Sequence, residues 1–72
     1  MLFQVALIDH DGVVVHTGAS DASTAEEAIE SERRFAQLPY CRAEAYDYYE
    51  MDAEPVLSKP CFADFGTFRT VV

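Results

Sequence analysis

His10, His16, Cys41 and Cys61 are the imidazole and thiol groups of this chain, the side chains from which a zinc site would be built. A zinc site takes such ligands in close pairs, as C-x-x-C or H-x-x-x-H. Neither spacing occurs here, so no metal ligand is expected. His10 abuts a turn and His16 falls beside valines in a strand-like run, so both read as surface or half-buried histidines. Cys41 and Cys61 read as buried free thiols, with a disulfide across a sheet as the second reading. Ser20, Ser23, Ser31 and Ser58 lie in no nucleophile–base setting. The glycines stand singly at 12, 18 and 66, so no phosphate-cradling loop is present. No catalytic residue and no cofactor is expected.

A different chemistry is concentrated in Glu44–Glu54, which holds five acids and three tyrosines in 11 residues. Tyrosine offers contact area at low entropy cost together with one polar tip. Glu44, Tyr46, Asp47, Tyr48, Glu50 and Asp52 thus read as a docking face for an Arg/Lys-rich protein. The plainer reading is a solvated strand whose tyrosines cover the sheet. A second acidic set, Glu26, Glu27 and Glu30, lies along one side of a helix-like segment. Carboxylates so arranged can imitate phosphates to a protein site built for nucleic acid; they can also be ordinary solvated surface.

Composition narrows the classes. The chain has 72 residues, 13 acidic and 5 basic side chains, and a net charge of −8. Direct DNA or RNA binding needs clustered Lys and Arg, which are lacking. Half the residues are hydrophobic, too many for a disordered tail, and the length suits a single domain over residues 1–72. The acids are spread over the chain, with seven before residue 37 and six after it, so the negative potential should cover a folded surface. Met1–Ile8 is apolar but lacks a basic flank and is ended by Asp9, which fits neither a signal peptide nor a membrane span. A cytoplasmic location is expected.

These side chains need a frame. Residues 2–9 and 13–18 are β-prone runs around His10-Asp11-Gly12, a hairpin signal. A two-residue turn at Asp11-Gly12 would set Leu7 opposite His16 and Ile8 opposite Val15. Both sides of the first run are largely apolar, which suits a central strand. Ser23 with Glu26 reads as a capping box, with Thr24 and Glu27 as the alternative register. The helix is expected to run to about residue 37, with Ala25, Ala28, Ile29, Phe35 and Ala36 inward and Pro39 beyond its end. Residues 40–51 alternate as a strand, with Cys41, Ala43, Ala45, Tyr49 and Met51 on the helix side. Residues 52–60 read as a loop, and 61–70 as a last strand bent at Gly66. The expectation is an α+β fold of order ββαββ: a four-stranded, mainly antiparallel sheet with one helix on one face.

Two resemblances follow from these motifs. Val5-Ala-Leu-Ile-Asp9-His-Asp11-Gly12-Val-Val-Val-His-Thr17 resembles the first motif of haloacid-dehalogenase-type phosphatases. That likeness implies Asp9 as nucleophile and Asp11 as general acid beside Mg²⁺. The rest of the chain departs from that family: no later Ser/Thr motif or acidic pair follows, and Lys59 is the only lysine. Asp11-Gly12 is therefore read as a turn. The whole pattern of strand, turn, Ser23-Thr-Ala-Glu-Glu-Ala-Ile29 helix and paired strands resembles small acidic bacteriophage and mobile-element proteins, among them the anti-CRISPR proteins. It implies a non-enzymatic inhibitor occupying a basic nucleic-acid-binding surface of an effector complex, with a host-cell cytoplasmic location. The alternative is a small dimeric adaptor that associates through the apolar second face of its sheet.

Overall fold

The computed structural model describes residues 1–60. Five elements follow in order: β1 (Leu2–Ile8), β2 (Val14–Asp21), α1 (Ala25–Arg33), β3 (Arg42–Asp47) and β4 (Leu57–Pro60). The four strands form one antiparallel sheet in the order β2-β1-β3-β4, so the expected ββαββ architecture and the central place of β1 both hold. The final strand expected over 61–70, its bend at Gly66 and the thiol of Cys61 lie outside the described residues.

The core follows from period-two alternation. Phe3, Val5 and Leu7 of β1, with Ala43 and Ala45 of β3, are buried beneath Ala28 and Ile29 of α1. The large side chains there each contribute roughly 1.5–3 kcal/mol by leaving water. Two alanines on β3 let the helix sit close to the sheet. The alternate residues Leu2, Gln4, Ala6 and Ile8 face the side without a helix and stay half-buried.

The β1–β2 hairpin keeps the expected Leu7–His16 register, but Ile8 meets Val14 rather than Val15 because a bulge interrupts the ladder there. The loop is His10-Asp11-Gly12 rather than a two-residue turn: the Gly12 N–H donates to Asp9 O at 3.0 Å and the Asp9 N–H to Val13 O at 2.9 Å. Gly12, at φ +83°, supplies the left-handed residue that closes a three-residue hairpin.

Four other expectations change. Thr24, not Ser23, caps α1, its hydroxyl accepting from the Glu27 N–H at 3.2 Å, while the Glu27 carboxylate accepts from the Ser23 N–H at 3.1 Å. The helix ends at Arg33, short of residue 37. Phe35 and Ala36 donate to the carbonyls three residues back, a tight final turn that swings Phe35 out into solvent. Strand β3 stops at Asp47, so Tyr49 and Met51 are exposed rather than under the helix. Finally, part of the expected loop is strand: β4 begins beyond Pro55 and covers Leu57–Pro60, and the missing N–H of Pro60 costs an edge strand little. Among the described residues, no helix is long and apolar enough to cross a membrane.

Candidate functional site

The topology sorts charge along the strands. Leu2 is paired with Asp21, and Phe3 with Asp47, so the start of β1, the end of β2 and the end of β3 share one end of the sheet. Helix α1 begins there, immediately after β2, and runs back over the sheet until Glu32 reaches His16. Asp21, Glu26, Glu27 and Asp47 therefore lie at one end, and the turns carrying Glu50 and Asp52 follow directly on Asp47. The opposite end holds the His10-Asp11-Gly12 loop, Arg42 beside Ile8, and the helix terminus with Arg33 and Arg34. Acids at the start of α1 and arginines at its finish also suit the helix dipole.

The acidic end is shaped by Asp47. Its carboxylate accepts from the Tyr49 N–H at 3.0 Å and its carbonyl from the Glu50 N–H at 2.9 Å. An Asp that bonds the backbone two residues on favours a turn over continued strand. A second turn follows, with the Ala53 N–H donating to Glu50 O at 3.1 Å. Tyr48 remains attached to the sheet through its N–H to Leu2 O at 3.1 Å. The rings of Tyr48 and Tyr49 meet edge to face, with centroids 5.4 Å apart and planes at 79°. Tyr49 is 79% exposed and Tyr48 39%, with Glu50 and Asp52 exposed next to them.

Of the residues singled out from sequence, Glu26, Glu27, Asp47, Tyr48, Glu50 and Asp52 come together at this end. Asp21 joins them, its carboxylate 3.3 Å from the N-terminal ammonium, and so does Tyr49. Neither had a signal of its own: Asp21 belongs there only through its pairing with Leu2, and Tyr49 only because β3 stops early.

Glu44, Tyr46 and Glu30 stand apart. Glu44 lies in mid-β3 on the helix-free face, its side chain only 14% exposed. It accepts from the Tyr46 hydroxyl at 2.6 Å and from Ser58 Oγ at 3.4 Å, with Arg42 Nη1 at 3.8 Å. The bond to Glu44, aided by burial, holds the Tyr46 phenol above the ordinary tyrosine pKa, because ionisation would set two anions side by side. Glu30 accepts from Arg33 Nη1 at 2.7 Å, one helical turn away. Arg33 also donates to the Tyr40 hydroxyl at 2.8 Å, and that bond raises its already high pKa further.

Asp9, which the phosphatase-like motif would make a nucleophile, has its Oδ1 engaged by the N–H groups of Asp11 and Val13, each at 2.9 Å. A shallow depression of about 240 Å³ opens beside it, lined by Ile8, His10, Gly12, Cys41, Arg42 and Pro60. His10 and Cys41 share this rim, while His16 is at the helix side of β2. Among the described residues no group of three or more His, Cys, Asp or Glu is placed to hold a metal ion. No protein family, curated protein or solved structure matches this chain.

Proposed function

We propose that this protein is a non-catalytic inhibitor that works by binding, presenting its acidic end to a basic nucleic-acid-binding surface of an effector complex in the manner of anti-CRISPR proteins. One observation carries the reading. Asp21, Glu26, Glu27, Asp47, Glu50 and Asp52 share one end of the molecule with an exposed tyrosine pair, while the arginines of α1 and β3 lie at the other end. Arg and Lys placed to receive phosphates attract carboxylates by the same Coulomb term. The tyrosines add the apolar contact that a purely charged surface lacks.

The test uses tagged protein in bacterial lysate, treated with nuclease, at low and high salt. The expected result is salt-sensitive recovery of a nucleic-acid-handling complex that survives nuclease and from which the protein displaces a labelled duplex. A Glu26→Lys/Glu50→Lys/Asp52→Lys variant, altered only at exposed positions, should lose both recovery and displacement. Displacement indifferent to those charges, or a recovered complex that keeps its duplex, would overturn the proposal.

A further inference from the structure

We propose that two copies of this chain pair along the outer edges of β2, antiparallel about a two-fold axis at Thr17, so that two four-stranded sheets become one. This inference is independent of which partner the acidic end meets.

Among the described residues, β2 is an edge of the sheet and its longest strand, at eight residues. Its inward and outward groups are fixed by the ladder. The Ala22 N–H donates to Met1 O, and bonding alternates along an antiparallel pair. Ser20 and Gly18 thus turn their N–H and C=O toward β1, while Thr17 and Ala19 turn theirs outward. Both residues are exposed, and among the described residues no strand lies on that side to take these outward groups. Proteins usually blunt such an edge with Lys, Pro, an inward charge or a bulge. Here the bulge falls at Val15, at one end of the segment, and the first acid, Asp21, lies at the other end. From Val15 to Ser20 the only titratable side chain is His16, whose ring faces Glu32. The other described edge, β4, carries Pro60, which offers no N–H, so over its described residues it is a poorer template.

Charge permits a second copy at this edge and sets its direction. At −8 per chain, most of the surface would repel a copy, whereas the middle of β2 carries no acid to bring opposite another. With Thr17 facing its counterpart, Gly18 lies across from His16, and Ala19 across from Val15, where the bulge limits the pairing to the segment between the two. The antiparallel arrangement sends the two acidic ends to opposite extremes of the joined sheet. A parallel arrangement would bring them together. Isologous two-fold pairing is also the commonest way for a small chain to associate.

The test follows mass by light scattering from micromolar to millimolar concentration, with amide exchange read residue by residue. The expected result is twice the monomer mass at high concentration, with the Thr17 and Ala19 amides protected there and exchanging freely on dilution. Thr17→Pro removes an N–H that β1 does not use, so its circular dichroism should be unchanged while it stays monomeric. Thr17→Lys should do the same by charge. A wild-type protein monomeric throughout overturns the proposal. So does a dimer that leaves the Thr17 and Ala19 amides unprotected, or one that persists in the folded variants, which would place contact on the helix-free face. The exchange measurement decides the matter even if a variant fails to fold.

Discussion

Glu32 reaches across from α1 to place its Oε1 2.9 Å from His16 Nε2 on β2, directly over the backbone of Gly18. The two side chains are 11% and 21% exposed, so the contact is largely removed from solvent. A helix with a carboxylate on its inner face needs a polar partner and a gap in the sheet surface. His16 provides the first and Gly18 the second. Removing one partner of a well-buried pair strands the other and costs several kcal/mol; with some solvent reaching both, Glu32→Ala should cost about 2 kcal/mol in urea unfolding. A Cβ added at Gly18 would come 2.7 Å from Glu32 Cδ, so Gly18→Ala should destabilise by about 1–3 kcal/mol. That penalty should shrink in a Glu32→Ala background. Strict additivity of the two changes would refute the close approach.

The cap register makes a separate prediction. Thr24 accepts the Glu27 N–H, so Thr24→Ala should lower stability by about 1 kcal/mol. Ser23 uses only its backbone N–H in the observed bond, so Ser23→Ala should stay within about 0.5 kcal/mol of wild type. Thermal or urea midpoints for the two variants check the order. A larger loss at Ser23 would restore the other register.

Tyr46 sets an alkaline limit. Its phenol binds a proton more tightly in the folded protein than in the unfolded chain, through the bond to Glu44. Folding is therefore favoured while the phenol is neutral. That contribution is fully present below the ordinary value of 10.0 and is lost as pH rises through the folded value. In an ultraviolet pH titration Tyr46 should ionise above the ordinary range, and Tyr46→Phe should remove that late step. Glu44→Gln should shift it down toward the ordinary value. A step unmoved by Glu44→Gln would contradict the assigned cause.

The hairpin loop separates structure from chemistry at Asp9. Asp9→Ala loses the two hydrogen bonds that Oδ1 accepts and should cost about 1–2 kcal/mol, whereas Asp9→Asn keeps an oxygen for the same N–H groups and should cost less. Gly12 has open space around an added Cβ but sits at φ +83°, so Gly12→Ala should cost about 1 kcal/mol through backbone strain alone. In a Mg²⁺-dependent phosphatase screen, wild type and Asp9→Asn should both be inert. Turnover abolished by Asp9→Asn would revive the phosphatase likeness.

Local chemistry explains what could be read from the residues. The alternation in residues 2–8, the Asp-Gly turn and the Ala25–Ile29 helix start each have a short-range cause, and from them the sheet, its central strand and the helix face follow. What was not legible depended on meetings between distant residues. Strand β3 keeps an alternating pattern past Asp47, and only the side-chain turn at that residue ends it. The helix pattern carries on through Phe35, yet the chain turns at Arg33, whose guanidinium holds Tyr40. Glu32 looks like one more helix acid until His16 arrives from a strand 16 residues away. The candidate site shows the same division. Six of its acids and tyrosines were visible as types, but their grouping with Asp21 and Tyr49, apart from Glu44 and Glu30, is a product of topology.

The crowding of acids at one end, with the arginines at the other beside Asp9 and Asp11, has a consequence in salt water. The seven residues of β1 span about 23 Å, and electrostatic influence at physiological ionic strength decays over about 8 Å. A molecule approaching one end is thus screened from the other. What it encounters is a local potential, strongly negative near Asp47 and much weaker near the hairpin loop, rather than the total of −8. The total governs how the protein migrates in an electric field. The gradient along the strands governs which way round it arrives at a charged surface.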